Sequence, residues 1–217
     1  CPKCDAEDQY GDACEKCAAT YDATQMKAPY CVECGSTPVK KISKHYFFKL
    51  SEFDAFLKTW GKENLTQTEI RNKLDEWFEQ GLKDWDISRD EPYFGFKIPG
   101  TENKYFYVWM DAPVGYIAAT QHWCETSESA KTQNATDYKA IWKKGSDYEI
   151  HHFIGKDIMY FHTLFWPAML EVAGYQLPKK VNVHGFLTVN GEKMSKSKGT
   201  FIKARDYLEV LEPELLR

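Results

Sequence analysis

The sequence has no apolar run of about 18 residues or more, the length a membrane-spanning helix needs, so a helical membrane span is excluded. It has no large excess of either charge, with 28 basic against 32 acidic residues and a net charge of −4, and is too apolar and too balanced for an unfolded tail. Its first residues, Cys-Pro-Lys-Cys, lack the basic and then apolar pattern of a signal peptide. A reducing, cytoplasmic setting is therefore the expectation. What is present, over 217 residues, is 43% hydrophobic and 15% aromatic content, enough to bury the core of one large domain or two modest ones.

Cysteine is scarce except at one end. Six of the seven fall in the first 34 residues as Cys-x-x-Cys pairs, Cys1/Cys4, Cys14/Cys17 and Cys31/Cys34, and only Cys124 stands apart. A two-residue gap lets the backbone turn back so that both sulfurs face one point, and two such turns supply the four soft ligands that tetrahedral Zn²⁺ prefers. A disulfide framework needs an oxidising compartment, and a thioredoxin-like centre needs one such pair on a βαβ unit, so structural zinc is expected. Seven acids against three lysines in residues 1–34 favour a structural clip over a reader of DNA or RNA. Six thiolates do not fill two four-ligand sites. One pair is idle, or its partner pair lies outside the chain.

Beyond the cysteines, residues 45–50 (HYFFKL) read as a strand, and Phe53, Phe56, Leu57 and Trp60 fall at helical spacing within 51–60. Thr66 and Glu69 match a capping box, Ile70, Leu74, Trp77 and Phe78 form one stripe, and Gly81 marks a stop. These aromatics read as core. From Lys104 the pattern becomes strand, loop, helix, strand, helix, strand, an α/β unit with parallel strands. The spacing predicts strands over 105–109, 150–154 and 181–184 and helices over 113–123 and 158–173, with Pro167 bending or breaking the second helix. Ligands of open α/β sheets sit beyond the carboxyl ends of the strands, so 109–113, 155–157 and 184–187 are expected to converge on one crevice.

Three constellations lie there. Gly155-Lys156-Asp157 offers close backbone approach and an acid for a ribose hydroxyl beside a helix N-terminus. His162 and Trp166 share a helix face, with Trp109 and Tyr116 expected nearby; a packed aromatic core with one hydrogen-bonded histidine is the competing reading. Residues 179–205 carry seven basic residues against the single acid Glu192, and an Asn190-Gly191 turn leads into a lysine-rich loop suited to a polyphosphate. A solvated loop has the same composition.

The order of residues in that loop is more specific than its charge. Lys193-Met194-Ser195-Lys196-Ser197 is the KMSKS signature, and the stretches CPKC…QYGDACEKC at 1–17, WDISRDEPYFGFKIP at 85–99, YFYVWMDAPVGY at 105–116, HFIGKDIMYFHTLFWPAML at 152–170 and VHGFLTVNGEKMSKSKGTFIKA at 183–204 extend the match. The chain resembles the class I aminoacyl-tRNA synthetases, specifically the methionyl enzymes of the bacterial type with a zinc-bearing connective insertion. The resemblance implies a methionine pocket of Trp109, Ala112, Pro113, Tyr116, Ile158, Phe161, His162 and Trp166, in which ring edges suit a thioether. It implies ATP binding, with Mg²⁺, at Gly155, Asp157, His184, Leu187, Lys193 and Lys196, the two lysines stabilising the pyrophosphate that leaves as methionyl-adenylate forms. It implies one structural Zn²⁺ on Cys1, Cys4, Cys14 and Cys17, with Cys31 and Cys34 matching the extra pair of two-zinc relatives. The partners it implies are ATP, L-methionine and tRNA(Met), with neither membrane nor DNA.

The implied architecture is the second half of a class I synthetase Rossmann fold, a parallel sheet, preceded by a zinc-knuckle connective insertion. The expected segments are a knuckle at 1–42, the rest of the insertion at 43–103, the Rossmann half at 104–185, and the KMSKS loop with the start of a stem-contact region at 186–217. The second signature of the class, HIGH, is absent from the sequence, so an internal piece that is inactive alone is expected. Two other readings remain: a non-catalytic zinc-ribbon module binding RNA or protein, and a class I synthetase for another apolar amino acid.

Overall fold

The computed structural model describes residues 1–9, 11, 14, 16–17, 19, 21–31, 34–189, 192–194 and 201–216. In chain order the elements begin with strand β1 (Phe47–Phe48), helices α1 (Asp54–Asn64) and α2 (Thr68–Gln80), and strands β2 (Trp85–Asp86), β3 (Ser88–Asp90) and β4 (Lys104–Phe106). Helices α3 (Val108–Asp111), α4 (Val114–Thr126), α5 (Glu128–Thr132) and α6 (Tyr138–Trp142) follow. Strand β5 (His151–Gly155) leads through a π-helical turn, Phe161–Phe165, into α7 (Trp166–Ala173), and then come β6 (Lys180–His184), β7 (Thr188–Val189), β8 (Glu192–Lys193) and α8 (Ala204–Leu208). The chain divides into two units, one of residues 1–47 and 86–108, the other of residues 48–85 and 109–217.

The first unit combines the cysteine turns with the antiparallel pair β3–β4, registered Ser88↔Phe106, Arg89↔Tyr105 and Asp90↔Lys104. Its polar anchor is the fully buried Ser88, whose hydroxyl donates to Asp86 Oδ1 at 3.0 Å and accepts the Tyr46 N–H at 3.0 Å. His45 Nδ1 closes the knot at 2.7 Å from Asp86 Oδ2. A buried hydroxyl must spend its hydrogen-bonding capacity, and here doing so ties residues 45–46 to the hairpin.

The second unit is built on the parallel pair β5–β6, registered from His151↔Lys180 to Gly155↔His184. Alternation along each strand turns His152, Ile154, Val181 and Val183 inward. Ile154, Val181 and Val183 pack with Leu57 and Trp60 of α1 and Ile70 and Leu74 of α2 in one core cluster, confirming the amphipathic reading of both helices. Gly81 ends α2 with φ of 78°, a conformation that side chains disfavour.

Four local expectations are corrected. No capping box starts α2: its N-cap is Gln67, which bonds no helix N–H because its amide is spent on the backbone of β6. Gln67 Nε2 donates to the Val183 carbonyl at 2.8 Å and the Val183 N–H donates to Gln67 Oε1 at 2.7 Å, so the side chain stands in for a neighbouring strand. The segment 51–60 is a 3₁₀ turn, Leu50–Phe53, followed by α1, because Ser51 bonds Asp84 instead of capping a helix. The strand expected over 105–109 is β4, which pairs antiparallel with β3 and does not join β5–β6. Its ladder stops where the Val108 N–H donates to the Tyr93 hydroxyl at 3.1 Å, and Trp109 lies in α3. The helix expected over 158–173 is broken: the Trp166 N–H donates to the Phe161 carbonyl, a π-type bond, and Pro167, which has no N–H to give, sits in the first turn of α7.

The Gln67 clamp predicts that Gln67→Ala, which leaves both Val183 backbone groups unpaired, lowers stability by about 1–3 kcal/mol in denaturant unfolding. Gln67→Glu, which keeps an acceptor for the Val183 N–H but no donor for its carbonyl, should fall between Gln67→Ala and the parent.

Candidate functional site

The corner between α3 and α4 places Trp109, Ala112, Pro113, Gly115 and Tyr116 on one wall of a cavity of about 380 Å³, and Ile158 and His162 form the other. Pro113 is fully buried at the corner, and Tyr116 is 38% exposed. Phe161 backs the wall by stacking on Trp109, with centroids 4.5 Å apart and planes within 7°. Trp166 lies fully buried with its ring 6.2 Å from that of Tyr116. The structure thus brings together the expected set Trp109, Ala112, Pro113, Tyr116, Ile158 and His162, with Phe161 and Trp166 behind it.

The hydrogen bonds fix the protonation of these rings. His162 Nδ1 lies 3.0 Å from the Ile158 carbonyl, which can only accept, so Nδ1 carries the proton. Burial lowers the pKa of His162 and keeps the ring neutral near pH 7. Its Nε2 is then a lone pair, and the Tyr116 hydroxyl, 2.8 Å away, donates to it. A second histidine follows the same logic. The Trp166 indole N–H donates to His152 Nε2 at 3.2 Å, so His152 also carries its proton on Nδ1. Burial, with His162 close by, pulls the His152 pKa from 6.5 to about 4. A cavity lined by neutral, hydrogen-bonded rings suits an uncharged apolar side chain and penalises a charged one.

Sequence reasoning missed His152, although strand alternation with Ile154 was signal enough to turn it inward. Its neighbour His151 points outward and pairs with Glu149 at 2.9 Å.

At the carboxyl ends of the parallel strands Gly155 and His184 are register partners. The Asp157 carboxylate folds over Gly155 so closely that a Cβ there would meet Oδ1 at 2.6 Å and His184 Cε1 at 3.9 Å. Any larger residue at 155 would push Asp157 aside. The Lys156 ammonium lies 4.3 Å from the Phe186 ring centroid, a cation–π contact that sequence reasoning did not anticipate. Leu187 is 46% exposed, and its carbonyl accepts the Met194 N–H at 3.0 Å. Strands β7 and β8 pair antiparallel, with Thr188 opposite Lys193 and Val189 opposite Glu192. Positions 190–191, Lys196 and the side chain of Lys193 lie outside the described residues.

In the first unit the sulfurs of Cys1, Cys4, Cys14 and Cys17 all lie within 4.8 Å of one another, with Cys1–Cys17 at 3.9 Å and Cys4–Cys14 at 3.7 Å. A tetrahedron of sulfurs about 2.3 Å from a central Zn²⁺ has edges of about 3.8 Å, so the four residues fit that ion. Among the described residues no other group of three or more histidines, cysteines and acids is as close. Cys31 and Cys34 stand outside it, in a turn closed by Cys31 N–H to Ser36 O at 2.9 Å and Gly35 N–H to Cys31 O at 2.8 Å.

The two buried histidines couple stability to pH. With a folded pKa of about 4 against 6.5 unfolded, His152 binds fewer protons folded than unfolded between those values, so stability rises with pH there and is fully present above 6.5. Acidification across that window should cost the second unit about 3 kcal/mol from this residue. His162 acts in the same direction. Denaturant midpoints followed across the window should show the slope, and His152→Phe should flatten it.

The family model described as tRNA synthetases class I (M) matches residues 1–217. Mycobacterium tuberculosis methionyl-tRNA synthetase in complex with methionyl-adenylate is similar at 30% identity and a TM-score of 0.65, over 89% of this chain and 37% of that one. A crystal structure of the same enzyme bound by methionyl-adenylate gives 29% and 0.62, over 84% and 34%. Its apo form gives 28% and 0.54, over 72% and 30%. The chain therefore spans about a third of the length of these relatives. With residues 1–217 matched by the family model, the chain belongs to the class I (M) tRNA synthetases.

Proposed function

We propose that this chain supplies the amino-acid pocket and nucleotide-facing strand ends of a cytoplasmic methionine–tRNA ligase. The observation that carries the reading is the cavity between Trp109, Tyr116, Ile158 and His162, walled by neutral rings and free of formal charge. Sulfur is polarisable and makes favourable contacts with ring edges, and an unbranched side chain threads between Trp109 and Tyr116 more easily than a branched one. The complexes of the similar Mycobacterium enzyme with methionyl-adenylate support the same substrate.

ATP, with Mg²⁺, then takes the ends of β5 and β6. Gly155 lets the nucleotide approach the backbone, and Asp157 and His184 offer an acceptor and a ring to its ribose and base, with Leu187 on the apolar side. In the reaction the methionine carboxylate attacks the α-phosphorus and pyrophosphate leaves. Lys196, assisted by Lys193, stabilises the charge gathering on the leaving group. The methionyl group passes to the terminal ribose of tRNA(Met). Cys1, Cys4, Cys14 and Cys17 hold a structural zinc, which fixes the two turns of the knuckle.

The titration that tests the pocket follows tryptophan fluorescence of the chain against L-methionine, L-leucine and L-isoleucine. Methionine should bind best, and Trp109→Ala should weaken it about tenfold or more, as expected for loss of a buried aromatic contact. Leucine or isoleucine binding as tightly as methionine overturns the assignment. Metal analysis should find one zinc per chain; Cys14→Ser should release it and Cys31→Ser should leave it in place.

A further inference from the structure

We propose that Cys31 and Cys34, the pair left out of the four-sulfur cluster, form a reversible dithiol–disulfide site that reacts with hydrogen peroxide before the zinc knuckle does. The inference goes beyond the ligase reading and does not depend on it. The other five cysteines are either gathered in the cluster or, like Cys124, buried. Cys34 is exposed and Cys31 half-buried, so an oxidant in solvent meets this pair first. The turn that carries them is closed by its own backbone. The Gly35 N–H donates to Cys31 O at 2.8 Å and the Cys31 N–H to Ser36 O at 2.9 Å, with Gly35 at a φ of 71° that other residues disfavour. The segment before it is moored to the loop after Cys4 by the Lys27–Asp5 ion pair and by the Tyr30 hydroxyl, which donates to Asp8. Two thiols supply only half of the four ligands that zinc prefers, and among the described residues no third ligand is grouped with them. Side by side on one turn, they have the spacing of a disulfide.

The two sulfurs differ in role. The Ser36 hydroxyl lies 3.3 Å from Cys34 Sγ and holds the Cys34 thiol below its ordinary pKa, with the Ser36 N–H and then the Cys31 thiol adding to the effect. Cys34 is therefore the attacking sulfur, exposed and richer in thiolate near neutral pH than an ordinary thiol. Its thiolate attacks one peroxide oxygen, the O–O bond breaks, and the departing hydroxide becomes water with the proton that Cys34 gave up. Cys34 is then a sulfenic acid. The Cys31 sulfur, within hydrogen-bonding reach, attacks Cys34 Sγ; the S–O bond breaks, the S–S bond forms, and the hydroxyl leaves as a second water with the Cys31 proton. The pair has given up two electrons and the peroxide has taken them. A thiol reductant reverses the change by exchange, so the disulfide is transient in a reducing compartment.

The test exposes the zinc-loaded chain to hydrogen peroxide, quenches with catalase at intervals, blocks free thiols with iodoacetamide and maps the peptides by mass, while a chromogenic chelator reports released zinc. The Cys31–Cys34 disulfide should form to completion before zinc appears, and dithiothreitol should return both thiols with the zinc still bound. Cys31→Ser should stall Cys34 as a sulfenic acid that dimedone captures, and Cys34→Ser should abolish the disulfide. Ser36→Ala should raise the pH at which Cys34 is alkylated and slow the disulfide, whereas a purely structural role for Ser36 would leave the alkylation profile where it is. Absence of the disulfide, its formation only after zinc is lost, or pairing of Cys34 with a cysteine other than Cys31 overturns the inference. So does a second zinc per chain that protects both Cys31 and Cys34 from alkylation. None of these results bears on which amino acid the cavity binds, so failure here is distinguishable from failure of the ligase reading.

Discussion

The parallel register of β5 and β6 is the constraint from which the second unit takes its chemistry. Aligning Gly155 with His184 puts two carboxyl ends side by side, and the same register turns His152 and Ile154, Val181 and Val183, toward the interior. Parallel strands cannot be joined by a tight turn, so the chain must leave β5, cross over and return. The crossing segment carries Ile158, His162 and Trp166, and their side chains therefore meet the face that β5 lays down. Gln67 completes the arrangement from the side, because a two-stranded parallel pair leaves unpaired backbone that one amide can satisfy at the residue before His184.

Burying polar rings without charge restricts the cavity as strongly as its shape does. Two histidines and a tyrosine are placed where ionisation is costly, and each accordingly takes one tautomer or orientation set by a neighbour that can act in only one sense: a carbonyl for His162, an indole N–H for His152. The result is a wall that carries polar rings and no formal charge. Such a wall differs from an all-aliphatic one of the same volume, since its shape depends on every hydrogen bond being made.

Much of this was legible in the sequence where the signal is local. The cysteine spacing marks paired sulfurs suited to zinc because two-residue turns are short enough to be dictated by the residues themselves, the resemblance singles out Cys1, Cys4, Cys14 and Cys17 among the three pairs, and the stripes of α1 and α2 give their buried faces. The cavity residues 109–116 and 158–162 were legible through motif resemblance. Periodicity alone left His162 and Trp166 as ordinary core, and structurally Trp166 is core as well. What was not legible came from pairings distant in sequence. Gln67 falls inside the expected Thr66–Glu69 capping box, and nothing near it in sequence reveals Val183, 116 residues away. The aromatic run at 105–109 looked like one strand because apolar alternation does not say which partner a strand will find. His152 was hidden by a doublet, and only alternation with Ile154 separates it from the outward His151.

The break before Pro167 ties these levels together. In an uninterrupted α-helix His162 and Trp166 would lie four apart on one face, directed at the same neighbour. The π turn Phe161–Phe165 inserts an extra residue into the turn between them, so that Trp166 is carried around the axis relative to His162. That offset lets His162 reach Tyr116 on α4 while Trp166 reaches His152 on β5. Proline stabilises the irregularity for a simple reason: without an N–H it makes no claim on the Thr163 carbonyl, and its ring would clash in a regular turn at that point. A position that reads in sequence as a helix breaker thus sets the directions of the two rings on which the cavity wall depends.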